Sequence, residues 1–135
     1  MIVLDASITV ALLLNEPGFE ASELNEVLAN NQPVVPAHWP IEVGNALLAA
    51  VRRKRIDGSR LIQVAAELRK LNVIIEPPVA LDRLTSMIKV AADQNLTLYD
   101  AAYVDLSMTK NATLATLDKA MRQAAGRLKL NVLPA

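Results

Sequence analysis

Four acidic residues stand where short apolar runs give way to polar sequence. They are Asp5 in Val3-Leu4-Asp5-Ala6-Ser7, Glu42 in Pro40-Ile41-Glu42-Val43, Asp100 in Leu98-Tyr99-Asp100-Ala101 and Asp118 in Thr116-Leu117-Asp118. Carboxylates gathered in one place repel one another, and burying them without a partner is costly. A hard divalent cation removes that cost: Mg²⁺ takes oxygen ligands, keeps several waters and uses one or two carboxylates directly. Such ions activate a water, polarise a phosphate and stabilise a leaving oxygen, so the chemistry these acids suit is phosphodiester hydrolysis. Ser7 lies two residues past Asp5, Thr116 two before Asp118, and Asn45 one helical turn beyond Glu42. Their hydroxyl and amide groups are suited to orienting ligands or waters around the acids.

Each acid also has a local structural reading. Asp5 and Asp118 suit helix N-termini, and Glu42 is an ordinary acid for a first helical turn. Thr97-Leu98-Tyr99-Asp100 has the form of a capping box, with Thr97 as cap and Asp100 reaching back. Ser7 and Thr116 suit turn bonds. Chemistry is favoured by the set of four, and by where the elements around them place it.

Those elements alternate. Five short β-type runs, Ile2–Leu4, Pro33–Val35, Val73–Ile75, Thr113–Thr116 and Asn131–Leu133, are separated by stretches of helical periodicity. Helices are predicted over Ile41–Arg55 (stopped by Asp57-Gly58), Leu81–Asn95, Tyr99–Lys110 and Leu117–Leu128. A further one, capped by Ser59, runs to Leu71, and a surface helix lies within Pro17–Asn30. Alternation of this kind predicts an α/β fold, a parallel sheet with helices on both faces. The strands are apolar throughout, as double coverage requires. In such sheets ligands sit beyond the carboxyl ends of the strands, where strand order reverses. Asp5 and Asp118 follow the first and fourth strands, and Glu42 and Asp100 open helices whose N-termini face the same edge.

At 135 residues the chain reads as one domain, 1–135. It has no cysteine, which excludes disulfides and thiolate metal sites. The apolar start, Met1 to Leu14, lacks a basic leader and is interrupted by Asp5, and no run reaches the ~18 apolar residues of a membrane span. A cytoplasmic protein with no membrane association is therefore expected. The formal net charge is zero, but with the four acids set aside 14 basic residues face ten acids. The charge total thus does not argue against a nucleic-acid partner. Trp39, Tyr99, Tyr103 and Phe19 are the only aromatic residues, too few for a base-stacking platform, so nucleic acid would be held mainly through phosphates.

Arg52-Arg53-Lys54-Arg55 is the one concentrated basic run. It suits a helix C-terminus, and equally a phosphate contact or a docking patch for an acidic partner. Arg60, Lys119 and Arg122 are weaker candidates for RNA contact. His38, the only histidine, reads as a packed loop residue beside Trp39, with no nucleophile to serve. The four glycines form no phosphate-binding loop. A phosphoacceptor signalling domain would show two adjacent acids after the first strand, but Ala6 follows Asp5. A haloacid-dehalogenase-like phosphatase would carry a second Asp where Ser7 stands.

Taken in order, Val3-Leu4-Asp5-Ala6-Ser7, Pro40 to Leu47 with Glu42 and Asn45, Leu98 to Tyr103 with Asp100, and Leu114 to Asp118 span nearly the whole chain. This succession resembles the PIN-domain ribonucleases, in particular the VapC-like toxins of toxin–antitoxin pairs. The resemblance implies a five-stranded parallel sheet and Mg²⁺- or Mn²⁺-dependent cleavage of RNA. It implies Asp5 and Asp100 as principal metal ligands, Glu42 and Asp118 completing a catalytic quartet partly through water, and Ser7, Asn45 and Thr116 in support. It further implies a homodimer, for which the helices Val43–Val51 and Leu61–Leu71 are candidate surfaces, and a cognate antitoxin whose tail blocks the site. An RNA-processing nuclease outside a toxin pair and a non-catalytic interaction module of the same fold are the alternatives.

Overall fold

The apolar runs become strands because each can bury both of its faces. The computed structural model describes residues Met1–Ala135. Its elements follow in the order β1 (Ile2–Leu4), α1 (Ala6–Leu13), α2 (Ser22–Asn30), β2 (Pro33–Val35), α3 (Trp39–Arg52), α4 (Gly58–Lys70), β3 (Ile74–Ile75), α5 (Leu81–Gln94), α6 (Leu98–Lys110), β4 (Thr113–Ala115), α7 (Lys119–Arg127) and β5 (Val132–Leu133). All pairings are parallel and the sheet runs β3-β2-β1-β4-β5. The expected five-stranded parallel α/β sheet is what forms.

The chain steps outward one way from β1 through β2 to β3, and the other way from β4 to β5. Right-handed crossovers then set α1 to α4 on one face and α5 to α7 on the other. Packing follows this division: α3 and α4 lie against α1, while α5 and α7 lie against α6. Strand direction of travel reverses between β1 and β4, which pair through Ile2 with Thr113, Val3 with Leu114 and Leu4 with Ala115. Ile2, Val3, Leu4, Val35 and Leu114 have no exposed surface and form the middle of the core with Tyr103, Val43 and Val64. No helix is long and apolar enough to cross a membrane.

Several boundaries differ from the sequence reading, each for a local reason. The helix carrying Glu42 starts two residues early, at Trp39, because Pro40 in its first turn has no N–H to waste. It ends at Arg52 rather than Arg55, since Lys54 turns left-handed (φ 56°) and the Arg55 N–H reaches back to Ala50. Asp57, not Ser59, caps α4, accepting from the Arg60 N–H at 2.8 Å. The Pro17–Asn30 stretch is helical only from Ser22, and α1, an apolar helix straight after Asp5, fills part of the stretch before it. β3 is only Ile74–Ile75 and is half exposed at the sheet edge, because α4 and α5 pack on other helices rather than over it. The last two strands are shorter than read, at Thr113–Ala115 and Val132–Leu133. The last helix begins at Lys119 rather than Leu117, which makes Asp118 its cap.

Two arginines read as weak RNA candidates are engaged inside the fold. Arg60 donates to the Leu13 carbonyl at the end of α1 (2.6 Å) and to Glu67 (3.2 Å), tying α4 to α1. Arg122 donates to the carbonyls of Thr116 (3.0 Å) and Pro134 (2.8 Å), fastening the end of β4 to the C-terminal tail.

Burial in the central strands and exposure at the edge set a contrast in stability. Leu114→Ala in β4 is expected to cost about 2–5 kcal/mol, whereas Ile74→Ala in β3 is expected to cost under about 1 kcal/mol. Urea unfolding of both variants measures the difference, and equal losses would contradict this division of the core.

Candidate active site

Asp5 follows β1 at the reversal point and is 1% exposed. Its N–H donates to the Ala115 carbonyl of β4 (3.1 Å), which carries the strand pairing one residue past β1. The carboxylate caps α1, accepting from the Ile8 N–H at 2.9 Å. Ser7 Oγ lies 2.8 Å from both of its oxygens, and Thr116 Oγ1 donates to Oδ2 at 2.5 Å. Burial pushes the Asp5 carboxyl up from the ordinary 3.8 to about 6, against these hydrogen bonds, and the nearby charge of Asp118 pushes the same way.

Thr116 joins the two acids. Its Oγ1 donates to Asp5 and accepts from the Asp118 N–H at 3.0 Å. Asp118 caps α7 through the Met121 N–H at 2.8 Å. Asp100 lies in the first turn of α6, whose cap is Thr97, accepting from the Asp100 N–H at 3.2 Å. Partial burial raises the Asp100 carboxyl, and so do the charges of Asp118 and then Glu42. Glu42, in the first turn of α3, accepts from Tyr103 Oη at 2.6 Å, and its Oε1 is 3.2 Å from His38 Nε2. Asp5 senses Asp118, and Asp100 senses both Asp118 and Glu42. Four distant segments thus bring their carboxylates to one edge of the sheet.

The capping readings hold as well: Asp5, Thr97 and Asp118 all cap helices, while keeping the acids on this edge. The capping box is only half formed, since no Asp100 carboxylate bond to the Thr97 N–H accompanies the cap. Ser7 and Thr116 sit on Asp5 as expected. Asn45 is exposed on α3 and bonds none of the four acids. Arg52, Arg53, Lys54 and Arg55 are exposed at the far end of α3, ten or more residues past Glu42. At 1.5 Å per residue that is about 15 Å or more along the axis, and Arg55 is engaged with Glu16 at 3.2 Å. Sequence reasoning missed two members of the cluster. His38, taken as loop packing, and Tyr103 both contact Glu42. Their positions, one turn before Glu42 and one turn after Asp100, were the available signal.

The donor set is made of hard carboxylate oxygens, and no Lys or Arg forms an ion pair with any of the four acids. No three acidic or histidine side chains close on a single point. Oxygen donors of this kind are what Mg²⁺ takes, one or two carboxylates at a time with several waters retained. The residues present fit Mg²⁺ or Mn²⁺.

Asp5 also gives the protein a pH dependence. Its folded pKa lies above its unfolded value, so between pH about 4 and 6 the folded state binds more protons. The stability this contributes is present at low pH and is lost as pH rises through about 6. Asn retains the capping oxygen but cannot ionise. In metal-free buffer the stability of wild type is therefore expected to fall relative to Asp5→Asn between pH 4 and 7, by up to roughly 3 kcal/mol. Urea unfolding across that range checks it, and parallel curves for the two proteins would contradict it.

Comparison with known proteins accords with this arrangement. Residues 2–127 match the family model of the PIN domain. The chain is 33% identical over 121 residues to a VapC ribonuclease of Mycobacterium bovis, and to the same extent to ribonuclease VapC9 of Mycobacterium tuberculosis. In both, 87% of this chain and 86% of the relative are covered. Among solved structures, PAE2754 from Pyrobaculum aerophilum has a TM-score of 0.71 at 22% identity, covering 97% of this chain and 81% of that one. FitAcB from Neisseria gonorrhoeae has a TM-score of 0.60 at 15% identity, covering 98% and 96%. These two share the fold. A sheet of this order with acids at its reversal point, and a family match over nearly its full length, make the chain a member of the PIN domain family.

Proposed function

We propose that the chain is a Mg²⁺- or Mn²⁺-dependent endoribonuclease, the toxin of a toxin–antitoxin pair. Its catalytic acids are Asp5, Glu42, Asp100 and Asp118. The observation that carries this reading is the set of carboxylates at the β1–β4 edge, where the charge of Asp118 reaches Asp5 and the charges of Asp118 and Glu42 reach Asp100, with no Lys or Arg paired to them. The VapC ribonuclease names of the relatives support the RNA substrate and the toxin role.

In this reading Asp5 and Asp100 would hold the cation, with Glu42 and Asp118 in support. Bound there, the ion lowers the pKa of a water and offsets charge on the scissile phosphate. The rest is the work of the chain. Thr116 and Ser7 fix the Asp5 carboxylate in one orientation, and Arg122 fixes Thr116 through its carbonyl. An edge this acidic repels a phosphodiester until a cation reverses the local charge, so RNA binding and cation binding are coupled. Asn45, exposed one turn beyond Glu42, faces solvent where substrate or water would be met.

Residues 1–135 act as one domain in a cytoplasmic homodimer. Leu48 on α3 and Ile62 on α4, both exposed, are available to its interface. A cognate antitoxin covers the acidic edge, and the exposed run Arg52 to Arg55 offers a contact to RNA or to an acidic antitoxin segment.

Asp100→Asn tests the reading. Asn keeps the shape of the side chain and removes its charge. With Mg²⁺ the wild type is expected to cleave structured RNA, with loss of activity in chelator, and the variant to be slower by about 100-fold or more. Activity that persists in chelator would rule out the cation's role. Saturating Mg²⁺ is also expected to raise the melting temperature of the wild type more than that of Asp100→Asn. Equal shifts would remove Asp100 from the cation site.

A further inference from the structure

Glu42 differs from the other three acids in how it is held. Asp5 and Asp118 accept backbone N–H groups of the helices they cap, Asp5 also accepts the Thr116 hydroxyl, and Asp100 donates its backbone N–H to the cap of its own helix. The Glu42 side chain is held instead by two aromatic neighbours, one of them from a different helix. Oε1 accepts the Tyr103 hydroxyl at 2.6 Å, and His38 Nε2 lies 3.2 Å from the same oxygen. That nitrogen is also 3.1 Å from the Tyr99 carbonyl. The Tyr99 carbonyl can only accept, so Nε2 carries a proton and donates it there, which sets the N–H beside Glu42 Oε1. Tyr103 is 1% exposed, and burial together with Glu42 raises its hydroxyl well above the ordinary tyrosine range.

The bonds run between two helices. His38 and Glu42 stand four residues apart at the start of α3, and Tyr99, Asp100 and Tyr103 share the first turns of α6. The imidazole packs edge-on against both tyrosine rings, with centroids 5.6 Å from Tyr99 and 5.2 Å from Tyr103. Glu42 and Asp100, which repel each other, are thus carried by helices fastened together beside them. Oε1 accepts the Tyr103 hydroxyl and has His38 against it, which leaves Oε2 for a cation or its water.

We propose that His38 and Tyr103 are positioning residues that act through Glu42, clasping α3 to α6 and committing one Glu42 oxygen to the protein so that the other serves the cation. This rests on the nuclease reading above and deepens it.

The experiment is a double-mutant cycle on the full-length protein. It compares wild type, Tyr103→Phe, His38→Ala, His38→Gln and Glu42→Gln, and combines each of the first three changes with Glu42→Gln. Two quantities are read: Mn²⁺ affinity without RNA, by electron paramagnetic resonance, and kcat and KM on RNA hairpins with randomised loops. Tyr103→Phe and His38→Ala are each expected to weaken Mn²⁺ binding and lower kcat about tenfold, with KM little changed. His38→Gln, which restores an N–H donor, is expected to recover most of the loss. In the Glu42→Gln background the same changes are expected to cost less than about twofold, because the group they act on is gone. Losses of equal size in both backgrounds would overturn the proposal, since they would be structural. Wild-type kcat and Mn²⁺ affinity in Tyr103→Phe and His38→Ala, beside an inactive Glu42→Gln, would overturn it and leave the nuclease reading standing. Full activity in Glu42→Gln would overturn the clasp together with the role assigned to Glu42. If Tyr103→Phe fails to fold, His38→Ala and its Gln counterpart decide the matter by the same criteria.

Discussion

A carboxylate with almost no contact with water lies at the point where the sheet changes direction. Asp5 ends β1, caps α1 and is bonded across to Thr116 beyond β4, so one side chain joins two strands that the sequence separates by more than a hundred residues. Burial alone would keep such a group protonated. Hydrogen bonds from Ile8, Thr116 and Ser7 work against that, and the balance leaves its pKa at about 6. The acids at this edge depend on this compromise between desolvation and donated hydrogen bonds, because Asp118 is placed through the same threonine.

The fold supplies the compromise cheaply. Parallel strands bordered by right-handed crossovers leave a cleft at the reversal point, and helix N-termini point toward it. Each of these termini needs an acceptor for its unpaired N–H groups, and acidic side chains provide one. Capping and chemistry are therefore the same placement. The residue that makes a good cap for α1 or α7 also sets a negative charge at the edge where a cation would be held. Glu42 and Asp100 are the exceptions, since neither carboxylate makes a cap, and the Glu42 side chain meets His38 and Tyr103 instead.

The parallel sheet and the four acids were readable in the sequence because each rests on local signals. Ile2–Leu4 and Pro33–Val35 are apolar without alternation, and Asp5 and Asp118 follow apolar runs directly. Features set by tertiary packing were not readable. The exposure of Ile74 and Ile75 depends on where α4 and α5 find partners, and the stop at Arg52 depends on a left-handed turn at Lys54. A basic residue looks alike in sequence whether it meets solvent or a carbonyl. Arg60 and Arg122 thus read as candidates for RNA while they hold α1 and Thr116. His38 is the packed loop residue its sequence suggests, but one histidine with no nucleophile nearby gives no hint of its bond to the Tyr99 carbonyl or its place beside Glu42.

The claim on which the rest depends is that acids from separate segments jointly hold a cation at the β1–β4 edge. Crystals grown with Mn²⁺ and measured at a wavelength where manganese scatters anomalously would locate the ion without reference to activity. An anomalous peak is expected among Asp5, Asp100 and Asp118, with Glu42 within reach through water, and is expected to disappear in Asp100→Asn. A folded protein at saturating Mn²⁺ with no peak there, or with its only peak on another face, would contradict it.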